Sequence, residues 1–221
     1  DGAFGAMAKD SVFVDHTTAS ATIARELDAA ARAGGFGFID APVSGGVIGA
    51  EQGKLTVMVG GDAKTLAAAR PLLESFAAKI VHCGAVGTGD AVKAINNALL
   101  AVHVWSTAEG LAALSKLGVD PAVALDVINS SSGRSNSSMN LFPERVLNRS
   151  FPRTFRLALL DKDARIAAGI AEQTGTPADI LALTSRLFAE AHAQLGEEAD
   201  HVEAVKVVEQ RAGVKIGGGT R

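Results

Sequence analysis

The sequence predicts an α/β region followed by an all-α region. Short β-branched runs alternate with Ala-rich helical windows as far as about Gly89, and no convincing strand appears after it. One long helical window, Asp90–Leu117, opens the second part. The 221 residues allow one large domain or two modest ones, at roughly 100–200 residues each.

In chain order, Ser11–Asp15 (SVFVD) reads as a strand, Ser20–Ala33 as a helix, Gly37–Val43 as a strand, Leu55–Val59 (LTVMV) as a strand, Asp62–Ala77 as a helix and Lys79–Cys83 as a strand. Strands alternating with helices imply βαβ units in a largely parallel sheet. Asp90–Leu117 ends at Gly118, with Asp120 as the cap and Pro121 at the first position of the next helix. Helical windows follow at Ala122–Asn129, Leu157–Thr174, Ala178–Leu195 and His201–Arg211. The expected organisation is a truncated Rossmann-like domain over 1–88, a helical domain over 89–211 and a tail over 212–221, with Gly217–Arg221 expected to be disordered. A complete dinucleotide-binding domain is built from two βαβαβ halves. The first half is missing here and residue 1 is Asp, so the expectation is a fragment.

Composition narrows the function classes. Lys+Arg 21 against Asp+Glu 24 leaves a net charge of -3, without the basic surplus that nucleic acid binding needs. The single cysteine, Cys83, excludes an intramolecular disulfide, a CxxC redox pair and a Cys-rich zinc site, and no metal site is expected. The absence of tyrosine excludes a Tyr general acid. The most apolar stretch, Ala91–Leu114, is interrupted by Lys93, Asn96, Asn97, His103 and Glu109, so no membrane span is expected, and the chain reads as a cytoplasmic protein of a reducing compartment.

Three segments carry candidate chemistry. Asp40-Ala-Pro-Val-Ser44-Gly45-Gly46 stands at the carboxyl end of a predicted strand, where ligands sit in open parallel sheets. Two glycines after a serine present backbone N–H groups and a hydroxyl to a small carboxylate. A Gly-rich turn needed only for its backbone angles is the alternative.

Gly84-Ala-Val-Gly87-Thr-Gly89-Asp90 is not a phosphate loop, because Asp90 stands where Lys is required. Nor is it a dinucleotide fingerprint, since Val92 occupies the third glycine position. It is a turn that launches a helix with Lys93 and Asn97 one turn apart on one face. Small and apolar neighbours around Lys93 would partly desolvate the amine and bring its pKa toward the range useful for proton transfer, and Asn97 could orient the amine or the substrate oxygen; a solvated surface lysine is the alternative. The third segment, Phe155…Lys162-Asp163, reads by itself as a solvated ion pair on a helix face. Arg134 and Asn136, within Ser130–Ser138, could shape substrate preference, but the stretch reads as a flexible polar connection.

Taken together these residues resemble the β-hydroxyacid dehydrogenases, the family of 3-hydroxyisobutyrate dehydrogenase and tartronate semialdehyde reductase, from Asp15 to about Glu209. The family's Asp-x-Ser-Thr appears as Asp15-His16-Thr17-Thr18, with Thr17 replacing Ser. Its substrate loop is Asp40–Gly46, its Gly-x-Gly-x-x-x-Lys-x-x-x-Asn is Gly87, Gly89, Lys93 and Asn97, and its Phe and Lys-Asp are Phe155, Lys162 and Asp163. The resemblance implies Lys93 as general acid and base. It implies Ser44, Gly45 and Gly46 holding the substrate carboxylate with Asn97 assisting, Thr18 and Lys162 touching NAD or NADP, and Phe155 and Asp163 lining the cleft between domains as part of the cofactor-binding set. It also implies a small 3-hydroxy acid as substrate and a homo-oligomer. Asn96 stands where the related 6-phosphogluconate dehydrogenase has His, which argues against that decarboxylating chemistry. A reading of another class is an inactive binding or oligomerisation module that uses the helical domain.

Overall fold

The computed structural model describes residues 2–218, which form two compact units that divide between Asn96 and Asn97. In the first unit, β1 (Val12–Asp15) pairs in parallel with β2 (Gly37–Asp40). Helix α2 (Ala21–Gly34) connects them, with the Ser20 side chain accepting from the Ile23 amide at its start and Gly35 at φ 80° closing it. A cap of this kind contributes about 1 kcal/mol. Before β1 lies a short helix, α1 (Ala3–Ala6), whose Phe4 packs edge-on against Phe13 and Phe36.

The expected single strand Gly37–Val43 is two strands. The chain leaves β2 at Ala41–Pro42 and resumes as β3 (Val43–Ser44), because Pro42 has no N–H to give a ladder. β3 pairs antiparallel with β4 (Leu55–Gly60), as does the end of β2 through Asp40 and Gly60. β4 pairs in parallel with β5 (Ala77–Gly84). The sheet is therefore mixed and not largely parallel, since the tight return through α3 (Gly46–Glu51) allows β4 only to run back along β3. Helix α4 (Ala63–Leu73) starts on the Asp62 cap and ends earlier than expected, because Ala77 is taken up by β5 opposite Leu55. Ile39, Val57, Val59, Leu66 and Leu73 form its packed centre.

Helix α5 (Thr88–Lys116) spans the division between the units. Among the described residues it is the one helix long and apolar enough, by length and composition, to cross a membrane. Ala101, Val104, Ala108 and Leu111 are instead fully buried in the helical core of the second unit, together with Leu125, Phe142, Leu160 and Phe188. That core is built from α5, α6 (Pro121–Asn129), α7 (Leu157–Thr174), α8 (Asp179–Leu195) and α9 (Ala204–Ala212). The expected helix His201–Arg211 begins as a 3-10 turn, His201–Glu203, where Asp200 and Glu203 form a reciprocal cap.

Two expected loops are ordered parts of this core. Ser135 and Ser138 exchange hydrogen bonds, with the Ser135 amide donating to Ser138 Oγ at 2.8 Å and the Ser138 amide to Ser135 Oγ at 3.1 Å. They lead into a π-helical segment, Ser137–Leu147, that contains Pro143. A proline gives no N–H to the ladder and crowds the turn before it, which favours the wider coil. The stretch read as a flexible connection thus holds Ser137 and Ser138 fully buried. At the far end Ile216 is also fully buried and the Gly218 amide donates to Leu147 O at 3.0 Å, so the described part of the expected tail is packed, while residues 219–221 lie outside the described residues.

Candidate functional site

In the first unit the candidate residues gather at the carboxyl ends of β1 and β2 and at the start of α5. Asp15 closes β1 and accepts from the Thr17 amide at 2.9 Å. The next residue, Thr18, is partly buried, and the Ala19 amide donates to Asp90 Oδ1 at 3.2 Å. Thr18 is thus held between two turns pinned by carboxylates. His16 Nδ1 lies 2.7 Å from Ala41 O and joins this loop to the one after β2.

Ser44, Gly45 and Gly46 form the corner between β3 and α3. Gly45 at φ 137° and Gly46 at φ 63° occupy conformations that side chains resist. A Cβ on Gly45 would stand 2.9 Å from Leu55 Cδ2, whereas one on Gly46 would meet nothing within 4 Å. The Gly46 backbone therefore borders open space.

Asp40 does not belong with the ligand-facing residues of its own motif. It is fully buried; its Oδ1 accepts from the Gly87 amide at 2.7 Å and its Oδ2 from the Asp90 amide at 2.9 Å. Asp90 is itself fully buried. Its carboxylate, which excludes a phosphate-loop reading, serves to hold the loop after β1. Lys93 follows within one turn, partly buried, and shares a helix face with Asn97.

In the second unit Asn97 Nδ2 donates to Asp163 Oδ2 at 2.6 Å, and Lys162 Nζ stands 3.0 Å from Asp163 Oδ1. Asp163 is only 3% exposed, so the expectation of a solvated Lys-Asp pair fails. The carboxylate is inside and is held by partners 66 residues apart in sequence and next door. Phe155 belongs to another cluster. Its amide donates to Asp200 Oδ2 at 3.0 Å, its carbonyl accepts from the His201 amide, and its ring lies 5.4 Å from that of His201. Asp200 also accepts from the amides of Thr154 and Val202. Burial by itself raises the Asp200 carboxyl; the His201 ring and the Phe155 and Thr154 amides outweigh it and hold the group well below the usual carboxylate range.

The structure thus brings Asn97, Lys162 and Asp163 together, sets Lys93 one turn from Asn97, and places Phe155 on the Asp200 hub. Sequence reasoning missed the roles of Asp40, Asp90 and Asp200. Each pairs with groups remote in sequence, although the glycines at 60, 87 and 89 signal a place where backbones come close.

Two family models cover nearly the whole chain. One is described as the NAD-binding domain of 6-phosphogluconate dehydrogenase and matches residues 1–84. The other, described as NAD-binding of NADP-dependent 3-hydroxyisobutyrate dehydrogenase, matches residues 87–208. A Drosophila melanogaster protein named 3-hydroxyisobutyrate dehydrogenase, mitochondrial, is 37% identical over 81% of this chain and 57% of its own length. The 2-(hydroxymethyl)glutarate dehydrogenase of Eubacterium barkeri is 34% identical over 99% of this chain and 72% of its own. The structure of Mycobacterium tuberculosis 3-hydroxyisobutyrate dehydrogenase with L-serine superposes with a TM-score of 0.84 at 35% identity, covering 93% of this chain and 72% of that one. The match spans little more than half of the fruit-fly relative and 63% of a Mycobacterium bovis one. On both halves of its sequence and on its fold, this chain belongs to the β-hydroxyacid dehydrogenase family, that of 3-hydroxyisobutyrate dehydrogenase.

Proposed function

We propose that this chain carries the substrate-holding and proton-transfer groups of an oxidoreductase that moves a hydride between NAD or NADP and a small 3-hydroxy acid of the 3-hydroxyisobutyrate or glycerate kind. The observation that carries this reading is the pairing on α5 of a partly buried lysine with Asn97, whose amide is fixed by a buried carboxylate.

The residues present fit a nicotinamide dinucleotide. Thr18 lies in the loop after β1, beside the carboxyl end of parallel β2, the position at which α/β sheets take such ligands. Asp15, three residues before it, and Asp90, which takes the amide of the residue after it, both accept backbone amides and so are held in place. When bound, the nicotinamide accepts or delivers the hydride. Thr18 in the first unit and Lys162, Phe155 and Asp163 in the second are proposed, on the family resemblance, as cofactor-binding residues.

Lys93 Nζ gives a proton to the substrate carbonyl oxygen in reduction and takes it back in oxidation. The Ser44 hydroxyl and the backbone at Gly45 and Gly46 hold the substrate carboxylate, a task suited to N–H groups without a Cβ in front of them. Asn97, held by Asp163, orients the reacting oxygen. The relatives' names cover both 3-hydroxyisobutyrate and 2-(hydroxymethyl)glutarate, which supports a carboxylate-reading loop with tolerance beyond it. We also propose a homo-oligomer, supported by the exposed pairs Val123/Val127 on α6 and Ile180/Leu183 on α8, and a cytoplasmic location; light scattering and localisation of a tagged protein test these.

Turnover of a panel of 3-hydroxy acids with NAD and with NADP tests the main reading. Lys93→Ala is expected to lower kcat by about 10²–10⁴-fold while cofactor affinity stays nearly constant. Turnover that survives the substitution defeats the assignment of Lys93. A wild-type protein inactive on every 3-hydroxy acid defeats the reaction class.

A further inference from the structure

A helix begins with N–H groups that have no partner inside the helix, and α5 has no residue of its own able to satisfy them all. Its N-cap position is Gly87, whose carbonyl accepts the first helical bond from the Ala91 amide at 3.0 Å, and glycine has no capping side chain. The residue cannot be larger. Gly87 sits at φ 90°, and a Cβ there would stand 2.8–2.9 Å from Ala21, backbone included. In an ordinary capping box the N-cap side chain takes the third helical N–H, and the third helical side chain returns to the N-cap N–H. Here both of those amides, Gly87 and Asp90, go to the single carboxylate of Asp40, 47 and 50 residues earlier. The third helical side chain, Asp90, is released to take the Ala19 amide instead.

The carboxylate sits in a cage that only glycines leave open. A Cβ on Gly60 would stand 2.4 Å from Asp40 Oδ1; one on Gly89 would stand 2.9 Å from Oδ2 and 2.4 Å from Met58 O. Asp40 lies four residues before Ser44 and is bound to the helix three residues before Lys93. One side chain thus joins the proposed carboxylate-holding loop to the helix that presents the proposed proton carrier.

We infer that Asp40 is a positioning residue: it caps α5 across the sheet and fixes the start of the helix, and so the place of Lys93, against the Ser44–Gly46 loop. Its catalytic consequence rests on the function proposed for Lys93; the cap itself does not.

The test is residue-resolved amide exchange together with steady-state kinetics on the intact protein, for Asp40→Asn and for Gly60→Ala. The first removes the charge and one acceptor. The second leaves Asp40 in place and pushes it off its two amides. Both variants are expected to lose protection tenfold or more at Gly87, Asp90, Ala91 and Lys93, while β1 and α2 change little. Both are expected to lower kcat at least tenfold with KM for cofactor and substrate within about twofold. Unchanged exchange at the start of α5 overturns the inference, and so does a uniform loss across β1, β2 and α2, which would make Asp40 a general packing group. Lost protection with unchanged kcat in an active enzyme keeps the cap and overturns its positioning role. If the wild-type protein has no turnover, the reaction class fails while exchange still decides the cap.

Discussion

The two units solve the same problem, holding charged groups away from water, by opposite means. In the first, backbone does most of the work: glycines at 60, 87 and 89 let strands and a helix start close in, and the enclosed Asp40 is satisfied by amides. In the second, Asp200 also takes backbone amides, but the other buried carboxylates are held mainly by side chains, from the same helix or from others: Asp163 by Asn97 and Lys162, Asp161 by His192 and Arg165, and Glu209 by both terminal nitrogens of Arg149. The same substitution should therefore have different consequences on the two sides.

Glycine to alanine makes the sharpest contrast. Gly89→Ala would place a methyl group 2.4 Å from Met58 O and 2.9 Å from Gly60 N, both backbone atoms that cannot step aside. A cost of about 3 kcal/mol or more is expected for the first unit, at the upper end of overpacking penalties. Gly169→Ala, in the middle of α7, meets nothing within 4 Å and should stabilise the second unit by about 1 kcal/mol through helix propensity. Denaturant titration reads both, since the single tryptophan, Trp105, lies buried in the helical core and reports on that core, while peptide-level exchange in β1 and β2 reports on the sheet. Changes of equal sign at the two positions would dissolve the contrast.

Acid probes the second unit through Asp200. Its folded-state pKa lies below the unfolded one, so its contribution is complete above about pH 5 and is lost as pH falls toward the folded value. The Trp105 unfolding midpoint should fall steeply below pH 5 in the wild type. Asp200→Asn should cost about 1–3 kcal/mol at neutral pH, by leaving buried amides short of an acceptor, and should flatten that acid limb. An unchanged limb would assign acid sensitivity to other carboxylates.

The smallest expected effect is at His192. The hydrogen bond that His192 donates to Asp161 raises its pKa most, against the cost of burial, with Glu197 adding to the rise. A raised folded value gives stability that is full below about pH 6.5 and is lost as pH rises through the folded pKa. The Trp105 midpoint should therefore decline slightly between pH 6 and pH 8, by less than about 1 kcal/mol, and His192→Gln should abolish the decline. A midpoint that rises with pH would reverse the assignment.

The legible parts of this protein are those whose signal is local. The Ser20 and Asp62 starts, the Gly118 stop and the Leu157–Thr174 helix follow from period and capping chemistry within a few residues. The Lys93–Asn97 spacing and the Ser44-Gly45-Gly46 corner are equally local, and the sequence alone makes them candidates. The exchange between Ser135 and Ser138 also had a local sign, a serine three residues from a serine, which the polar character of the stretch obscured.

What the chain determines by itself is therefore the inventory: which segments coil, which turn, and which side chains could do chemistry. Tertiary structure alone decided the pairings. It turned Gly37–Val43 into two strands around Pro42, made the sheet mixed, took Asp163 out of solvent and gave Asp40 a helix to cap in place of a ligand to face. The physical reason is that buried charge must find its partner wherever the fold brings one. Partners 47 to 66 residues away leave no periodicity for a sequence to display.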